Sequence, residues 1–241
     1  MEKKKTDMAV AIALNKRIAA ARSGTDILEI YEKQSRGFNH VNLATAIHRL
    51  GKANSDLKKD PRLQKLLDQV ASSLKNKKDL RWGSRELANI CWGAAKLHVE
   101  APVFFEAIAV EAQTQIRNFN PQNLANTSWA FATAGVSSPR LFEAIAAEAQ
   151  VQIRKFNAQA LANTSWAFAT AGVSSTRLFE AIAAETQVQI RKFKPQELAN
   201  TSWAFATAGV PSTRLFEAIA AEAQAQIQKF NAQEFSNTSL A

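Results

Sequence analysis

The sequence predicts an all-α protein: a right-handed α-solenoid of helical hairpins built on a 37-residue repeat. Three observations predict it. The phrase Leu-Ala-Asn-Thr-Ser-Trp-Ala-Phe-Ala-Thr-Ala-Gly runs from Leu124 to Gly135 and returns unchanged at 161–172 and 198–209. The tryptophans at 92, 129, 166 and 203 are each 37 residues apart (129−92, 166−129, 203−166), and a fixed period of this size marks stacked supersecondary units. Nothing in the chain alternates with period two, the signature of a half-buried strand.

Taken in order, Asp7 to Arg22 places Val10, Leu14 and Ile18 at helical spacing and reads as a terminal helix closed by Gly24. A first pair begins at Asp26, turns at Phe38-Asn39 and continues to Leu50. Aligned on Phe38 and Phe119, His48 takes the tryptophan position. The step from His48 to Trp92 is 44, so the loop around 53–59 carries a seven-residue insertion. Pro61 starts the next helix, which ends in Lys75, Lys77 and Lys78, where cations oppose the helix dipole favourably. Its partner runs from about Arg85 to Leu97 and holds a divergent copy of the phrase, Leu87 to Trp92. Later pairs are expected at 102–118 with 121–134, 139–155 with 158–171 and 176–192 with 195–208, and a last one from Thr213 is cut short.

The punctuation agrees. Asn120, Asn157 and Asn231 stand where a side-chain oxygen caps a helix start, and Pro121 and Pro195 occupy the first helical position. Gly135, Gly172 and Gly209 fall just past the second helix, where a left-handed residue ends it. The expected organisation is an N-terminal helix (1–24), divergent basic repeats (25–100) and near-identical repeats (101–241).

On the first helix of a unit, Leu141, Phe142, Ile145, Ala149, Ile153 and Phe156 fall within an arc of about 120°, an ordinary amphipathic face. Arg154-Lys155 and Arg191-Lys192 complement its C-terminal dipole. The second helix is less ordinary. Its small residues let adjacent units approach closely, yet Asn126-Thr127-Ser128 puts three weak helix formers in a helix interior, each about half a kcal/mol worse than alanine. Two gains would offset that: an inter-unit ladder of asparagine hydrogen bonds, or a polar row open to a ligand. The row comprises Asn89, Asn126, Asn163, Asn200 and Asn237 with Thr133, Thr170 and Thr207. Trp129, Trp166 and Trp203 border it, either as core or as platforms for bases.

The chain is 241 residues long, 46% hydrophobic and carries a net charge of +9. Residues 1–100 hold 20 Lys and Arg against 11 Asp and Glu, so the whole excess lies there; residues 101–241 hold ten of each. A field toward a polyanion is therefore expected at the N-terminal part. The single cysteine, Cys91, excludes an internal disulfide framework. The apolar run Met8–Leu14 is too short to span a bilayer, and Glu2 and Asp7 disfavour a transit peptide. His40, His48 and His98 share no ligand spacing with Cys91, so no metal or cofactor is expected. Glu143 and Glu148 recur in each unit but point about 140° apart on a helix, so they make no acid–base pair. No enzyme is expected.

The stretch Phe38 to Leu50 and the repeated phrase resemble the octotricopeptide-repeat proteins, organellar RNA-binding factors, and more distantly the FAST-kinase-domain and RAP-domain regulators of mitochondrial RNA. The resemblance runs from about Asp26 to the end. It implies sequence-selective binding of single-stranded organellar RNA in the chloroplast stroma or mitochondrial matrix, supporting translation, processing or stability, with other ribonucleoprotein subunits as further partners and no membrane. Two features depart from it: no Pro-Pro-Pro-Glu-Trp run is present, and no RAP domain follows. A chain stopping inside a repeat leaves an apolar flank open, which predicts a piece of a longer protein. Within this reading Lys75, Lys77 and Lys78 supply phosphate contacts and the Asn/Thr row reads bases. The neutral charge of 101–241 favours the alternative, an armadillo- or HEAT-like scaffold for an extended peptide.

Overall fold

A computed structural model of the protein describes residues 2–53, 56–76, 82–229, 232 and 238. Every regular element among them is helical, and within each of two compact units, Met1–Gln115 and Ile116–Ala241, successive helices pack neighbour to neighbour as an α-solenoid.

The first unit contains α1 (Glu2–Ala20), α2 (Gly24–Gln34), α3 (His40–Lys52), α4 (Pro61–Lys75), α5 (Ser84–Lys96) and α6 (Pro102–Thr114). Helix α1 buries Ala11, Leu14 and Ile18, one stripe at i, i+3 and i+7, and packs on α3. The buried Asn42 amide of α3 ties it down by donating to the Ala11 carbonyl at 2.9 Å. Gly24 opens α2 instead of closing α1. Ser23 Oγ accepts from the Asp26 amide and Asp26 Oδ2 accepts from the Ser23 amide, a reciprocal box that fixes a helix start here. Helices α3 and α5 touch backbone to backbone. A Cβ on Gly51 would lie 2.7 Å from Gly93 Cα, and one on Gly93 would strike the Ile47 carbonyl. Outside this inner pair, α4 packs beside α2 and α6.

The second unit contains α7 (Pro121–Thr133), α8 (Pro139–Gln152), α9 (Ala158–Thr170), α10 (Thr176–Gln189), α11 (Pro195–Thr207) and α12 (Thr213–Ala225). Helices α7, α9 and α11 form an inner row side by side, and α8, α10 and α12 an outer row. Asn120 and Asn157 accept from the amides of Asn123 and Ala160, capping α7 and α9 as expected; Asn231 lies outside the described residues. Gly135, Gly172 and Gly209 adopt φ of 65°, 64° and 63°. At the first, the Val136 amide donates to Phe131 and the Gly135 amide to Ala132, the paired bonds that close a helix through a left-handed residue.

Two details depart from the sequence reading. The outer helices stop short of residues 155 and 192: the α-helix ends at Gln152 and Gln189, and Ile153–Lys155 and Ile190–Lys192 tighten into 3-10 turns. The next residue, Phe156 or Phe193, is extended and turns its ring into the core. The polar ladder between successive repeats is built by glutamine, not asparagine. Gln152, Gln189 and Gln226 donate to the carbonyls of Phe119, Phe156 and Phe193 at 2.8, 2.9 and 3.0 Å. Glu148, Glu185 and Glu222, one turn earlier on the same helices, accept from the same amides. The recurring glutamate thus orients an amide. In the first unit, Gln115 does the same to the carbonyl of Trp82, with Glu111 behind it.

Where one copy departs from its siblings, a stability change follows. His98 sits at φ 51° in the position that Gly135 holds one repeat later, and a left-handed non-glycine residue costs about 1–2 kcal/mol. His98→Gly is expected to raise the unfolding free energy by about 1 kcal/mol in urea titrations. Thr186 is fully buried with a hydroxyl that has no partner, where the neighbouring repeats carry Ala149 and Ala223. Thr186→Val keeps the shape and removes the stranded hydroxyl, so a gain of about 1 kcal/mol is expected in the same assay.

Candidate nucleic-acid interface

Each inner helix of the second unit has one side that is only partly covered. Positions i, i+4, i+7 and i+11 fall within about 60° on a helix. In α7 they are Gln122, Asn126, Trp129 and Thr133; in α9, Gln159, Asn163, Trp166 and Thr170; in α11, Gln196, Asn200, Trp203 and Thr207. Diametrically opposite, Leu124 and Phe131 and their copies are fully buried in the layer shared with the outer helices, where Phe142 meets Phe168 edge-on at 5.0 Å and Phe179 meets Phe205 likewise. The free stripe behaves differently. The glutamines are exposed, the asparagines and tryptophans are half-buried, and Thr170 and Thr207 are exposed. Thr133 is half-buried, and its hydroxyl oxygen is sealed without a partner.

The three indoles form a column. Trp129 and Trp166 have ring centroids 6.3 Å apart at 31°, and Trp166 and Trp203 6.4 Å apart at 33°. Neither sealed core nor isolated surface rings, they are a half-open aromatic edge. Beside them, among the described residues, the side-chain amides of Asn126, Asn163 and Asn200 make no hydrogen bond and keep access to water. The adjoining residues differ. Thr127 and Ser128 are fully buried, and Ser128 Oγ donates back to the carbonyls of Leu124 and Ala125. Ser165 and Thr201 bond their own helices in the same way. So the weak helix formers divide: Thr and Ser are small residues for close packing, and Asn alone is left available.

The first unit carries the same stripe with different chemistry: Val41, Thr45, His48 and Lys52 on α3, and Arg85, Asn89, Trp92 and Lys96 on α5. His48 does hold the tryptophan position, with its ring 5.2 Å from that of Trp92. Burial, and then the nearby cations Lys52, Arg85 and Arg49, hold its pKa below the usual value, so at neutral pH it stacks as an uncharged ring. Lys52, Arg85 and Lys96 are exposed at the ends of the stripe. The sequence reading passed over these three; extending the Asn–Trp spacing one turn each way would have found them. Lys75, by contrast, ends outer helix α4 and lines a shallow cleft with Glu106 and Glu111, away from Asn89. Lys77, Lys78 and Asn237 lie outside the described residues.

Charge is segregated between the rows. Glu106, Glu111, Glu143, Glu148, Glu180, Glu185, Glu217 and Glu222 all belong to outer helices. On the inner helices of the second unit the one carboxylate among the described residues is Glu197, which accepts from the Lys194 amide at the start of α11. Neutrality of the repeats as a whole therefore conceals an inner face without acid beyond that cap. Among the described residues no group of His, Cys, Asp and Glu could hold a metal ion, and no helix is long and apolar enough to cross a membrane.

A half-open aromatic column beside unpaired amides, on a face whose one carboxylate among the described residues is the Glu197 cap, suits single-stranded nucleic acid. The sequence pattern of the RNA-editing substrate-binding complex 6 protein family matches residues 33–241. The chain belongs to this family. No curated protein matches it. Membership in the RNA-editing substrate-binding complex 6 family associates these helical repeats with RNA. The match names neither the octotricopeptide nor the FAST-kinase and RAP families that the repeated phrases resemble.

The unpaired state of the amides has a direct consequence. Replacing Asn126, Asn163 and Asn200 together by alanine removes no bond and improves helix propensity by about half a kcal/mol per site. Thermal unfolding is expected at an unchanged or higher temperature. A melting point lowered by several degrees would mean the amides hold the stack together.

Proposed function

We propose that the chain binds single-stranded RNA through the inner-helix stripe, as an RNA-holding subunit of an RNA-editing assembly, and that it does so without catalysis or cofactor. The observation that carries this reading is the pairing, in each inner helix of the second unit, of a half-open indole with an unbonded amide. An indole stacks on any base, and an amide offers both a donor and an acceptor to a base edge. Lys52, Arg85 and Lys96, exposed at the ends of the first unit's stripe, supply phosphate contacts. The family's name supports an RNA partner together with protein partners of the same complex, and the octotricopeptide likeness points the same way. We place the chain in the mitochondrion, where RNA-editing complexes occur, and read its part in transcript processing as presenting substrate RNA.

Fluorescence anisotropy with a labelled single-stranded RNA at two salt concentrations tests this. Alanine at Trp129, Trp166 and Trp203 is expected to weaken binding at least tenfold, since stacking contributes roughly 1–3 kcal/mol per base. Alanine at Lys52, Arg85 and Lys96 is expected to flatten the salt dependence, by about 0.7 in the log–log slope for each phosphate no longer neutralised. RNA affinity indifferent to both sets, with capture of extended peptides instead, would establish the scaffold reading.

A further inference from the structure

The three stripes of the second unit are the same stripe. Gln-Asn-Trp-Thr recurs without substitution in α7, α9 and α11. The geometry of the indoles and amides recurs with it, although Thr133 is half-buried where Thr170 and Thr207 are exposed. The two indole steps differ by 0.1 Å (6.3 and 6.4 Å) and by 2° (31° and 33°), and the closing glycines differ by 2° in φ (65° to 63°). The packing residues behind each stripe, Ala125, Thr127 and Ala130 with their copies at 162, 164 and 167 and at 199, 201 and 204, are also identical and buried. The 3-10 turns before α9 and α11 each present an exposed Arg-Lys pair, Arg154-Lys155 and Arg191-Lys192.

A surface that repeats its donors, acceptors and aromatic edges by translation offers one chemical environment to successive nucleotides. Helical-repeat proteins that assign one base to each repeat do so with two or three side chains per unit. Here those side chains do not vary, so whatever base suits one stripe suits the next two. We infer that the second unit selects a run of at least three identical bases, a homo-oligonucleotide tract, one base per inner helix. This rests on the RNA-binding reading above. The first unit lacks the property: Val41-Thr45-His48-Lys52 and Arg85-Asn89-Trp92-Lys96 agree only in the closing lysine and differ at the three positions before it, so its two stripes do not select one repeated base.

The test uses the full chain and labelled RNA nonamers: oligo(A), oligo(U) and oligo(C), and the three strictly alternating sequences made from pairs of these bases. A run places three matched bases on the three stripes, whereas an alternating strand matches at most two. One mismatched base costs about 1–3 kcal/mol in sequence-specific recognition, so the preferred homopolymer is expected to bind at least fivefold tighter than either alternating strand containing its base. With Asn163→Ala, the middle stripe loses its reading amide, and that gap is expected to narrow while the homopolymer remains the best ligand. Alternating strands that bind as tightly as the best homopolymer overturn the inference and leave RNA binding standing. An Asn163→Ala variant that weakens every RNA by the same factor overturns it too. Absence of binding to all six removes the RNA reading, and this inference with it.

Discussion

The close approach of neighbouring inner helices is the constraint from which the other features follow. Gly51 against Gly93 in the first unit, and alanine, serine and threonine at the corresponding flanks in the second, leave no room for larger side chains. Helices that approach this closely carry their outward residues close together as well. The tryptophans of the second unit, one per inner helix, are therefore drawn within stacking range of each other and cannot be separately buried. A leucine or phenylalanine at the flank positions would push the helices apart and dissolve the column. The small residues are thus as much a part of the candidate interface as the indoles.

The division of labour between rows explains how a neutral set of repeats can face a polyanion. Outer helices carry the glutamates, and one of the two in each copy is spent orienting the glutamine that clamps the preceding repeat's phenylalanine carbonyl. That carbonyl lies at the 3-10 turn, where the chain leaves one helix before the next is capped and where a backbone acceptor would otherwise lack a partner. The polar demand of joining successive repeats is met on the outer side, so the inner side is not needed for it. Among the described residues, the amides of Asn126, Asn163 and Asn200 stay unpaired, and the inner face of the second unit stays free of carboxylates apart from the Glu197 cap.

The fold class, the repeat length and nearly every helix were legible before any coordinates, because the 37-residue period and the Asn and Gly punctuation are local signals. The errors were local too. Gly24 looked like a stop, since nothing in a glycine itself distinguishes a closing residue from one that follows a serine cap. The outer helices looked longer than they are, since a 3-10 turn keeps helical residue types while changing the hydrogen-bond partner. For the candidate site, helical spacing set Asn126 and Thr133 in one row but left Trp129 open between core and platform, because it lies on the border between the apolar and polar arcs. The cationic ends Lys52, Arg85 and Lys96 went unmarked because the basic excess was assigned to the densest lysine run and not to helix faces.

What the sequence alone determined is the periodic architecture: identical segments must fold alike, and amphipathic helices of this length bury their apolar arc against their neighbours. Only the tertiary structure decided which polar groups were consumed. A carboxamide reads the same in sequence whether it bonds a neighbour or faces water, and the outcome depends on which backbone acceptor the packed chain brings within about 3 Å. Packing delivered such an acceptor to Gln152, Gln189 and Gln226, and none to Asn126, Asn163 and Asn200.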